Sequence, residues 1–441
     1  MSKGRIPADR YRERLGRAQE AAGRAGVGAL LIGVGTDLRW LVGYEAMPLE
    51  RLTMLVVTPN GRPTLVAPRL EQSAAMAAPG VGAGLVDVST WAETDDPILN
   101  VVQALGDRAG SVSGAGAAGD AGAAGGAGAA GPAGGAGAGG GAGAGGAGAA
   151  GAGGAGATAG AAAAGAAGGA LLVSDSLRAA FLLKLQAALP HARFDIANPV
   201  TSPLRQVKDA DEVELLRDAA LAADRTVTAI FSGRLVGRTE ADVAREVRER
   251  LIDEGHDVAD FWIVGSGPNS ASPHHDATDR VIEAGDPIVV DIGGNVAGYH
   301  SDITRTCWVT GGDNALGPDS EYLNLFDVLS RAQAAARAAV RPGVPCEEID
   351  AAARTLIDAE GYGQAFFHRL GHGIGLDDHE DPYLVAGNAA RLAVGNAFSV
   401  EPGIYLEGRY GARIEDILVC TPDGADELNQ APRELAVVSG L

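Results

Sequence analysis

Residues 287–306 read PIVVDIGGNVAGYHSDITRT and carry two aspartates, Asp291 and Asp302, each within a run of β-branched residues. A Gly-rich connection separates the runs, so the stretch predicts a β-hairpin with one carboxylate on each strand. Two acids that point the same way repel each other unless a cation or a shared proton neutralises them. We therefore expect a charged site on this hairpin, with the Gly-Gly pair after Asp291 turning the chain.

Length and charge limit the classes of function that fit the chain. At 441 residues, of which 46% are hydrophobic, it is long enough for two domains with substantial cores. Its 56 acidic and 35 basic residues give a formal net charge of -21. This charge opposes attraction to nucleic acid or to an anionic membrane, so we expect neither as a partner.

The cysteines and the N-terminus predict a cytoplasmic protein. The three cysteines, Cys307, Cys346 and Cys420, are widely spaced and form no CxxC pair, so they predict neither a disulfide framework nor a thiolate zinc site. The N-terminal residues have charges throughout and no apolar core of a signal peptide. No later stretch supplies the roughly 20 apolar residues of a membrane span.

The first 198 residues predict an α/β domain. A helical pattern covers residues 9–26, and strand patterns follow at 27–32, 52–58 and 63–66, with an Asn-Gly turn signal before the last. Residues from about 114 to 170 are nearly all Ala and Gly, which predicts a disordered insertion within this domain. Globular patterning resumes with a strand at 171–173 and a helix at 176–189.

Residues 199–441 predict a second domain of the α+β class. Pro199 and Pro203 are expected to form a linker before a helix over 213–230, which Asp209 and Glu212 would start with a capping box. Further helices are predicted at 240–254, 321–340 and 347–360. Strand patterns lie at 261–265, 287–292, 304–310, 397–401 and 413–420. Paired helices with strands in hairpins favour an antiparallel sheet.

The strands of this second part also carry acids in apolar surroundings. Glu401 ends one strand pattern, and Glu415 lies inside another, where an unpaired acid would be costly. Five of the eight histidines fall in two short segments, PHHDATDR and HRLGHGIGLDDHE; they are His274, His275, His368, His372 and His379. Carboxylates with an imidazole form a hard donor set, which suits manganese, cobalt, iron or zinc better than copper.

The series VVDIGG, SDITRT, GHGIG, VEPG and RIED, in that order, resembles the metallopeptidases of the pita-bread fold. That family includes methionine aminopeptidase, aminopeptidase P and prolidase. The resemblance covers residue 199 to the C-terminus, with Asp302 eleven positions after Asp291 and Arg413 two positions before Glu415. It implies a catalytic pita-bread domain preceded by a smaller α/β domain of the creatinase type.

The resemblance also implies a dinuclear metal centre. Carried over residue by residue, its ligands are Asp291, Asp302, His372, Glu401 and Glu415. Manganese is the expected metal, with cobalt and zinc as alternatives.

The resemblance further implies residues that act on the substrate. His274 and His379 would contact the substrate and stabilise the intermediate, and Glu401 would shuttle the proton. His368 matches a further substrate-contacting histidine of the aminopeptidase P and prolidase branch. Arg413 would bind a substrate carboxylate or orient Glu415.

The predicted first domain argues against a methionine aminopeptidase, because those enzymes have at most a short extension before the catalytic domain. All five ligands are present, which argues against creatinase-like members, and the compact catalytic part resembles the short microbial prolidases. The resemblance thus implies an Xaa-Pro dipeptidase that acts on small peptides with proline after the scissile bond, and a homodimer. Aminopeptidase P, a creatinase-like hydrolase of a metabolite C–N bond, and a ligand-free interaction module remain the alternatives.

Overall fold

A computed structural model of the chain describes residues 6–106 and 169–441. Its first part alternates helices and strands. The helices are α1 (Ala8–Arg24), α2 (Thr36–Val42), α3 (Gln72–Ala77), α4 (Pro79–Gly82), α5 (Pro97–Leu105), α6 (Ala179–Ala188) and α7 (Asn198–Arg205). The strands are β1 (Ala29–Ile32), β2 (Met54–Val57), β3 (Thr64–Pro68), β4 (Asp87–Trp91), β5 (Leu171–Val173) and β6 (Phe194–Ile196).

These six strands form one mixed sheet in the order β4-β3-β2-β1-β5-β6. Strand β1 lies at its centre, antiparallel to β2 and parallel to β5. Because side chains alternate along a strand, Leu30 and Ile32 enter the core under α1 and α2, whereas Leu31 enters the core under α5 and α6. Burial on both faces explains the unbroken apolar run of β1 and confirms the predicted α/β class.

The second part contains four helices and eleven strands within the described residues. The helices are α8 (Ala210–Ser232), α9 (Glu240–Glu254), α10 (Ser320–Ala339) and α11 (Cys346–Ala359). The strands are β7 (Val258–Ser266), β8 (Pro287–Val296), β9 (Tyr299–Val309), β10 (Gly371–Gly373), β11 (Glu380–Leu384), β12 (Ala397–Val400), β13 (Gly403–Leu406), β14 (Tyr410–Arg413), β15 (Asp416–Thr421), β16 (Gly424–Glu427) and β17 (Ala436–Val438).

Each pair of helices covers its own sheet. Helices α8 and α9 pack on the four-stranded sheet β17-β9-β8-β7, and α10 and α11 pack on the five-stranded sheet β11-β10-β12-β15-β16. The predicted capping box starts α8, since Asp209 and Glu212 each accept a hydrogen bond from the other's backbone N–H. This arrangement confirms the α+β class.

The hairpin of β8 and β9 is longer than predicted, and its turn lies elsewhere. The register pairs Asp291 with Thr304 and Gly293 with Asp302, and the chain turns at Ala297 and Gly298, both with positive φ. The expectation that the Gly-Gly pair turns the chain was therefore wrong. At Gly293 a Cβ atom would stand 2.3 Å from the Phe261 ring and 2.4 Å from the Ser301 carbonyl oxygen, so glycine permits close packing instead.

Two other sequence-based expectations need correction. The predicted strand over 413–420 is broken, because β14 ends at Arg413 and β15 begins at Asp416, leaving Glu415 between two strands rather than inside one. The predicted linker with Pro199 and Pro203 is helix α7. Pro199 fits because the first turn of a helix needs no N–H donors, and tertiary packing, including the hydrogen bond from Arg17 to the Leu204 carbonyl, compensates for Pro203.

Most of the Ala- and Gly-rich segment predicted over about 114–170 lies outside the described residues. Its last residue, Ala170, is buried, and its carbonyl accepts a hydrogen bond from the Gly28 N–H at 2.8 Å. The domain boundary after residue 198 stays a prediction. Across residues 6–106 and 169–441, no helix combines the length and apolar character needed to cross a membrane.

The packing at Gly293 predicts that Gly293→Ala destabilises the hairpin. The free energy of unfolding should fall by about 1–3 kcal/mol, because the added methyl group meets backbone at Ser301. Urea unfolding followed by tryptophan fluorescence measures the change. Gly16→Ala is the control: a Cβ atom there meets nothing within 4 Å in α1, so its stability should be equal to or above that of the wild type.

Candidate metal centre

One cavity of about 820 Å³ collects all the site residues predicted from the sequence. Their burial differs, since Asp302, His372 and Glu415 are buried whereas His274 is exposed. The predicted residues on the cavity wall are His274, Asp291, Asp302, His368, His372, His379, Glu401, Arg413 and Glu415. The structure thus brings together side chains that are up to 141 residues apart in the chain, from Glu415 back to His274.

Within the cavity, the buried Asp302, His372 and Glu415 could hold a metal ion, since each offers a ligand atom within 4.8 Å of the others. The His372 Nε2 atom also lies 3.5 Å from Asp302 Oδ2 and 3.4 Å from Glu401 Oε1. Asp291 stands on the same face of the hairpin as Asp302, diagonally across from it, because its neighbour Gly293 is the direct partner of Asp302. All five predicted ligands therefore border one space.

His372 reaches this position because glycines flank it in β10. A Cβ atom at Gly371 would stand 2.0 Å from the Ser399 carbonyl oxygen, and one at Gly373 would stand 2.3 Å from the Asp381 carbonyl oxygen. Strand β10 can therefore lie close to both neighbours. The His372 Nδ1 atom lies 3.1 Å from the Gly373 carbonyl oxygen, which can only accept a hydrogen bond. The proton is therefore on Nδ1, and the lone pair of Nε2 faces the carboxylates.

In Asp291 and in Glu415, one carboxylate oxygen accepts a hydrogen bond and the second oxygen does not. An Arg413 N–H donates to Asp291 Oδ2 at 2.5 Å, and the Thr304 hydroxyl donates to Glu415 Oε2 at 2.7 Å. Among the predicted ligands, three buried carboxylate oxygens have no hydrogen-bond partner within the described residues, namely Asp291 Oδ1, Asp302 Oδ1 and Glu415 Oε1. Unpartnered buried acceptors are costly unless a cation occupies the space between them.

The pKa values of these acids show the cost of bringing them together. Burial, followed by the charges of neighbouring acids, raises the pKa of Asp302 and of Glu415 well above the ordinary range. The same two causes raise the pKa of Glu401 to about 7. Burial lowers the pKa of His372 to about 3, with His379 adding to the effect, so the imidazole is neutral at pH 7. A divalent cation would offset the repulsion and stabilise the ionised carboxylates, which together with a neutral imidazole are the forms that bind metal ions.

His379 has a defined tautomer because of Arg369. An Arg369 Nη2–H lies 3.1 Å from His379 Nδ1, and a guanidinium has donors but no acceptor. Nδ1 must therefore be the acceptor, and the proton of the neutral ring sits on Nε2. Burial lowers the pKa of His379, and the charge of Arg369 acts in the same direction, so the neutral form predominates at pH 7. His379 thus offers one N–H donor on the cavity wall.

His368 and Arg413 are already engaged by other protein groups. The ring nitrogens of His368 lie 2.7 Å from the Arg369 carbonyl oxygen and 3.1 Å from the Tyr405 hydroxyl. Arg413 donates to that hydroxyl at 2.7 Å and to the Thr304 hydroxyl at 2.9 Å, besides Asp291. Because Thr304 in turn donates to Glu415, these contacts favour an orienting role for Arg413 over binding of a substrate carboxylate.

His274 lies on a loop that the buried Glu240 fixes from behind. The His275 ring nitrogen lies 2.8 Å from Glu240 Oε2, so His275 anchors the loop while His274 faces the cavity. Further donors to Glu240 come from Ser266, Asn269 and Thr278. Burial alone would raise the pKa of Glu240, but the hydrogen bonds, that from His275 first, outweigh it and lower the pKa to about 2.

Arg205, together with Asp37 of the first domain, supports the segment that carries His379. Arg205 Nη1 lies 2.8 Å from Asp377 Oδ2 and 3.2 Å from Glu380 Oε2. Its Nε lies 2.9 Å from Asp37 Oδ1 at the start of α2. His379 lies between the two acids that Arg205 contacts, so residues of α2 and α7 hold the backbone on both sides of it.

Sequence reasoning missed several cavity residues. They are Asp260, Phe261, Ile263, Ser272, Pro273, Phe367, Arg369 and Asp378. Arg369 and Asp378 stand in the motif HRLGHGIGLDDHE, and their position beside predicted histidines is a signal that could have identified them. The aromatic and aliphatic members carry no chemical signal, since only the tertiary fold shows that they face a cavity rather than a core.

Comparisons with known proteins agree with this geometry. Residues 214–422 match Metallopeptidase family M24, and residues 14–115 match the Creatinase/Prolidase N-terminal domain. The chain is 40% identical to the probable dipeptidase PepE of Mycobacterium tuberculosis, over 99% of both chains. It is 37% identical to the Xaa-Pro dipeptidase of Pyrococcus furiosus, over 55% of this chain and 68% of the relative.

The crystal structure of dipeptidase PepE from Mycobacterium ulcerans resembles this fold with a TM-score of 0.80. The sequences are 39% identical, and the match covers 98% of this chain and 99% of that one. Together these similarities confirm the predicted architecture, a pita-bread domain preceded by a creatinase-type α/β domain.

The Glu240 contacts predict a pH-dependent stabilisation. Because the pKa of Glu240 is lowered by folding, its contribution is complete above the ordinary carboxyl pKa of 4.5 and is lost as the pH falls towards 2. Glu240→Gln should therefore reduce the free energy of unfolding by about 2–3 kcal/mol at pH 7 and by less at pH 4.

Urea unfolding at the two pH values measures this difference, with Glu249→Gln, an exposed change on the same helix, as the control. A Glu240→Gln effect that grew on acidification would contradict the assignment.

Proposed function

The chain belongs to metallopeptidase family M24, and on this premise we propose that it is a dinuclear-metal Xaa-Pro dipeptidase. Its substrate would be a small peptide with proline after the scissile bond. Two relatives support this proposal, since one is named a probable dipeptidase and the other an Xaa-Pro dipeptidase. The complete set of five ligands favours a peptidase over a creatinase-like hydrolase or an interaction module.

The observation that carries the proposal is the group of unpartnered carboxylate oxygens beside the Nε2 atom of His372. The residues that would hold two divalent ions are Asp291, Asp302, His372, Glu401 and Glu415. When bound, such ions polarise a carbonyl and activate water at neutral pH. The hard donor set favours manganese, with cobalt and zinc as alternatives.

The protein's own residues would then move the proton and stabilise the intermediate. Glu401 would take the proton of the attacking water and pass it to the leaving proline nitrogen, since its carboxylate faces the cavity beside His372. His379 would donate its Nε2–H to the oxygen of the tetrahedral intermediate, because Arg369 holds the proton on that nitrogen. His274, an exposed residue on the cavity wall, would contact the scissile carbonyl.

We assign His368 and Arg413 to positioning rather than to substrate contact. Tyr405 connects them through its hydroxyl, and Arg413 reaches Asp291 directly. The guanidinium would therefore orient a metal ligand and offset part of its negative charge.

Three further proposals concern the setting of the enzyme. The thiols of Cys307, Cys346 and Cys420 are free and buried, which suits the reducing cytoplasm. From the resemblance to the family we also propose a homodimer. The charge of -21 favours small substrates over nucleic acid as partners.

A panel of substrates tests the proposed activity. Xaa-Pro dipeptides, Xaa-Pro-Yaa tripeptides and creatine would each be assayed with manganese, cobalt, zinc and no metal. We expect dipeptides to be cleaved fastest, activity to stop with a chelator, and manganese or cobalt to restore it. Faster cleavage of tripeptides would instead identify an aminopeptidase P, and turnover of creatine alone would identify a metabolite hydrolase.

The role of Glu401 predicts that Glu401→Gln lowers kcat by a factor of about 10² to 10⁴, because the amide cannot accept the proton. Steady-state kinetics with an Xaa-Pro dipeptide measure the loss, and elemental analysis of the dialysed protein shows whether metal is retained. Glu407→Gln, an exposed change in the same region, should leave the rate unchanged. Cleavage by Glu401→Gln at near the wild-type rate would show that the assigned role is wrong.

A further inference from the structure

Arg305 and Asp416 form a buried ion pair that connects the two largest sheets of the second part of the chain. Arg305 stands on β9 of the four-stranded sheet, and Asp416 begins β15 of the five-stranded sheet. Their exposed fractions are 3% and 0%, and Arg305 Nη2 donates to Asp416 Oδ1 at 2.6 Å. Within the part of the chain that the structure describes, neither residue lines the cavity. Any effect of this pair on metal ions must therefore pass through other residues.

The guanidinium of Arg305 uses all five of its N–H donors on protein groups. One donor goes to Asp416, and the other four go to backbone carbonyl oxygens, at 3.0 Å for Thr304, 2.6 Å for Glu415, 2.8 Å for Ala431 and 2.8 Å for Pro432. A guanidinium has five donors and no acceptor, so none is left over for a ligand. The group thus joins segments of the fold and is not a binding site.

These contacts fix Glu415, a predicted metal ligand, against β9. Its backbone N–H donates to the Thr304 carbonyl at 3.1 Å, and its carbonyl accepts the bond from Arg305. The Thr304 hydroxyl donates to Glu415 Oε2 at 2.7 Å. The backbone and the carboxylate of Glu415 are therefore both held by two consecutive residues of β9. Glu415 lies in the break between β14 and β15, so strand pairing would not replace these bonds.

Asp416 extends the connection towards a second predicted ligand. Its Oδ2 atom accepts hydrogen bonds from Gln333 at 2.7 Å and from Arg433 at 2.6 Å. The register of β12 and β15 pairs Asp416 with Val400, the residue before Glu401. A shift of β15 relative to β9 would therefore move the segments that carry Glu401 and Glu415.

The predicted ligands come from both sides of this connection. Asp302 stands on β9, whereas Glu415 directly precedes β15, and their ligand atoms lie within 4.8 Å of each other. Like charges at this distance repel, so a contact across the two sheets is needed to keep the carboxylates together before an ion binds. Residues that orient metal ligands typically change metal affinity by about 10- to 100-fold when they are replaced.

We propose that Arg305 is a positioning residue for the metal centre, which holds the backbone of Glu415 against the strand that carries Asp302. This inference rests on the proposed function and deepens it, because it names a residue that does not line the cavity and yet sets the affinity for the ions. Arg413 acts differently, since it donates to the Asp291 carboxylate itself.

Calorimetric titration of the metal-free protein with manganese chloride tests this role. Arg305→Lys keeps the charge beside Asp416, and Arg305→Gln keeps a planar group with two donors, so one folded variant is enough. Either should bind manganese about 10- to 100-fold more weakly than the wild type. Arg433→Lys is the matched control, because Arg433 also donates to Asp416 but makes no described hydrogen bond to Thr304 or Glu415. It should bind manganese as the wild type does.

Urea unfolding without metal separates positioning from a loss of stability. If the Arg305 variants lost free energy of unfolding and still bound manganese as tightly as the wild type, the proposal would be overturned and Arg305 would serve the core alone. If the wild type binds manganese but cleaves no Xaa-Pro peptide, the proposed function fails, and the measured affinities still decide the role of Arg305.

Amide hydrogen exchange followed by mass spectrometry adds a readout that needs no metal. Peptides that contain the Glu415 amide should exchange faster in Arg305→Lys than in the wild type or in Arg433→Lys, because the bonds between Glu415 and β9 open more often. If the wild type binds no divalent ion, the proposed function fails, and this measurement still decides whether Arg305 holds Glu415. Equal exchange in all three proteins would show that it does not.

Discussion

Mutual repulsion among buried carboxylates is the constraint on which this site depends. Asp291, Asp302, Glu401 and Glu415 share one cavity, and burial together with neighbouring charge raises the pKa of three of them, Asp302, Glu401 and Glu415. Bringing such groups together costs free energy, which hydrogen-bond donors or cations must offset. The surrounding structure supplies part of it through Arg413 and leaves three oxygens open where cations would complete it.

Local features of the fold bring these carboxylates and His372 together. Gly293 leaves room between the two aspartates for Phe261 and for close approach of the neighbouring strand. Glycines on both sides of His372 let a three-residue strand fit between two others. The break between β14 and β15 releases Glu415 from strand pairing while its backbone N–H still bonds the Thr304 carbonyl at 3.1 Å. Each predicted ligand thus lies on a segment whose backbone is hydrogen-bonded to a neighbouring strand or loop.

The sequence predicts features that depend on neighbours in the chain. The capping box of α8, the bounds of α9 and the two strands of the β8–β9 hairpin are local, so their patterns were interpretable. The function of Gly293 was misread because the sequence shows a glycine but not what approaches it. Pro203 was misread for a related reason: burial of one face of α7 offsets a local preference against helix. Arg305 escaped notice because its partners Glu415 and Asp416 lie 110 and 111 residues away in the chain.

The ion pairs of Arg205 with Asp37, Asp377 and Glu380 link the two domains and limit how far each can evolve separately. Arg205 contacts the acids on both sides of His379, and Asp37 of the first domain contacts Arg205, so the segment that carries His379 cannot be exchanged independently of that domain. Replacing the first domain would remove Asp37 and alter the charge balance around Arg205. This change would affect the position of the backbone beside His379. Selection would then act on the two domains as one inherited unit, and recombination would tend to preserve their pairing.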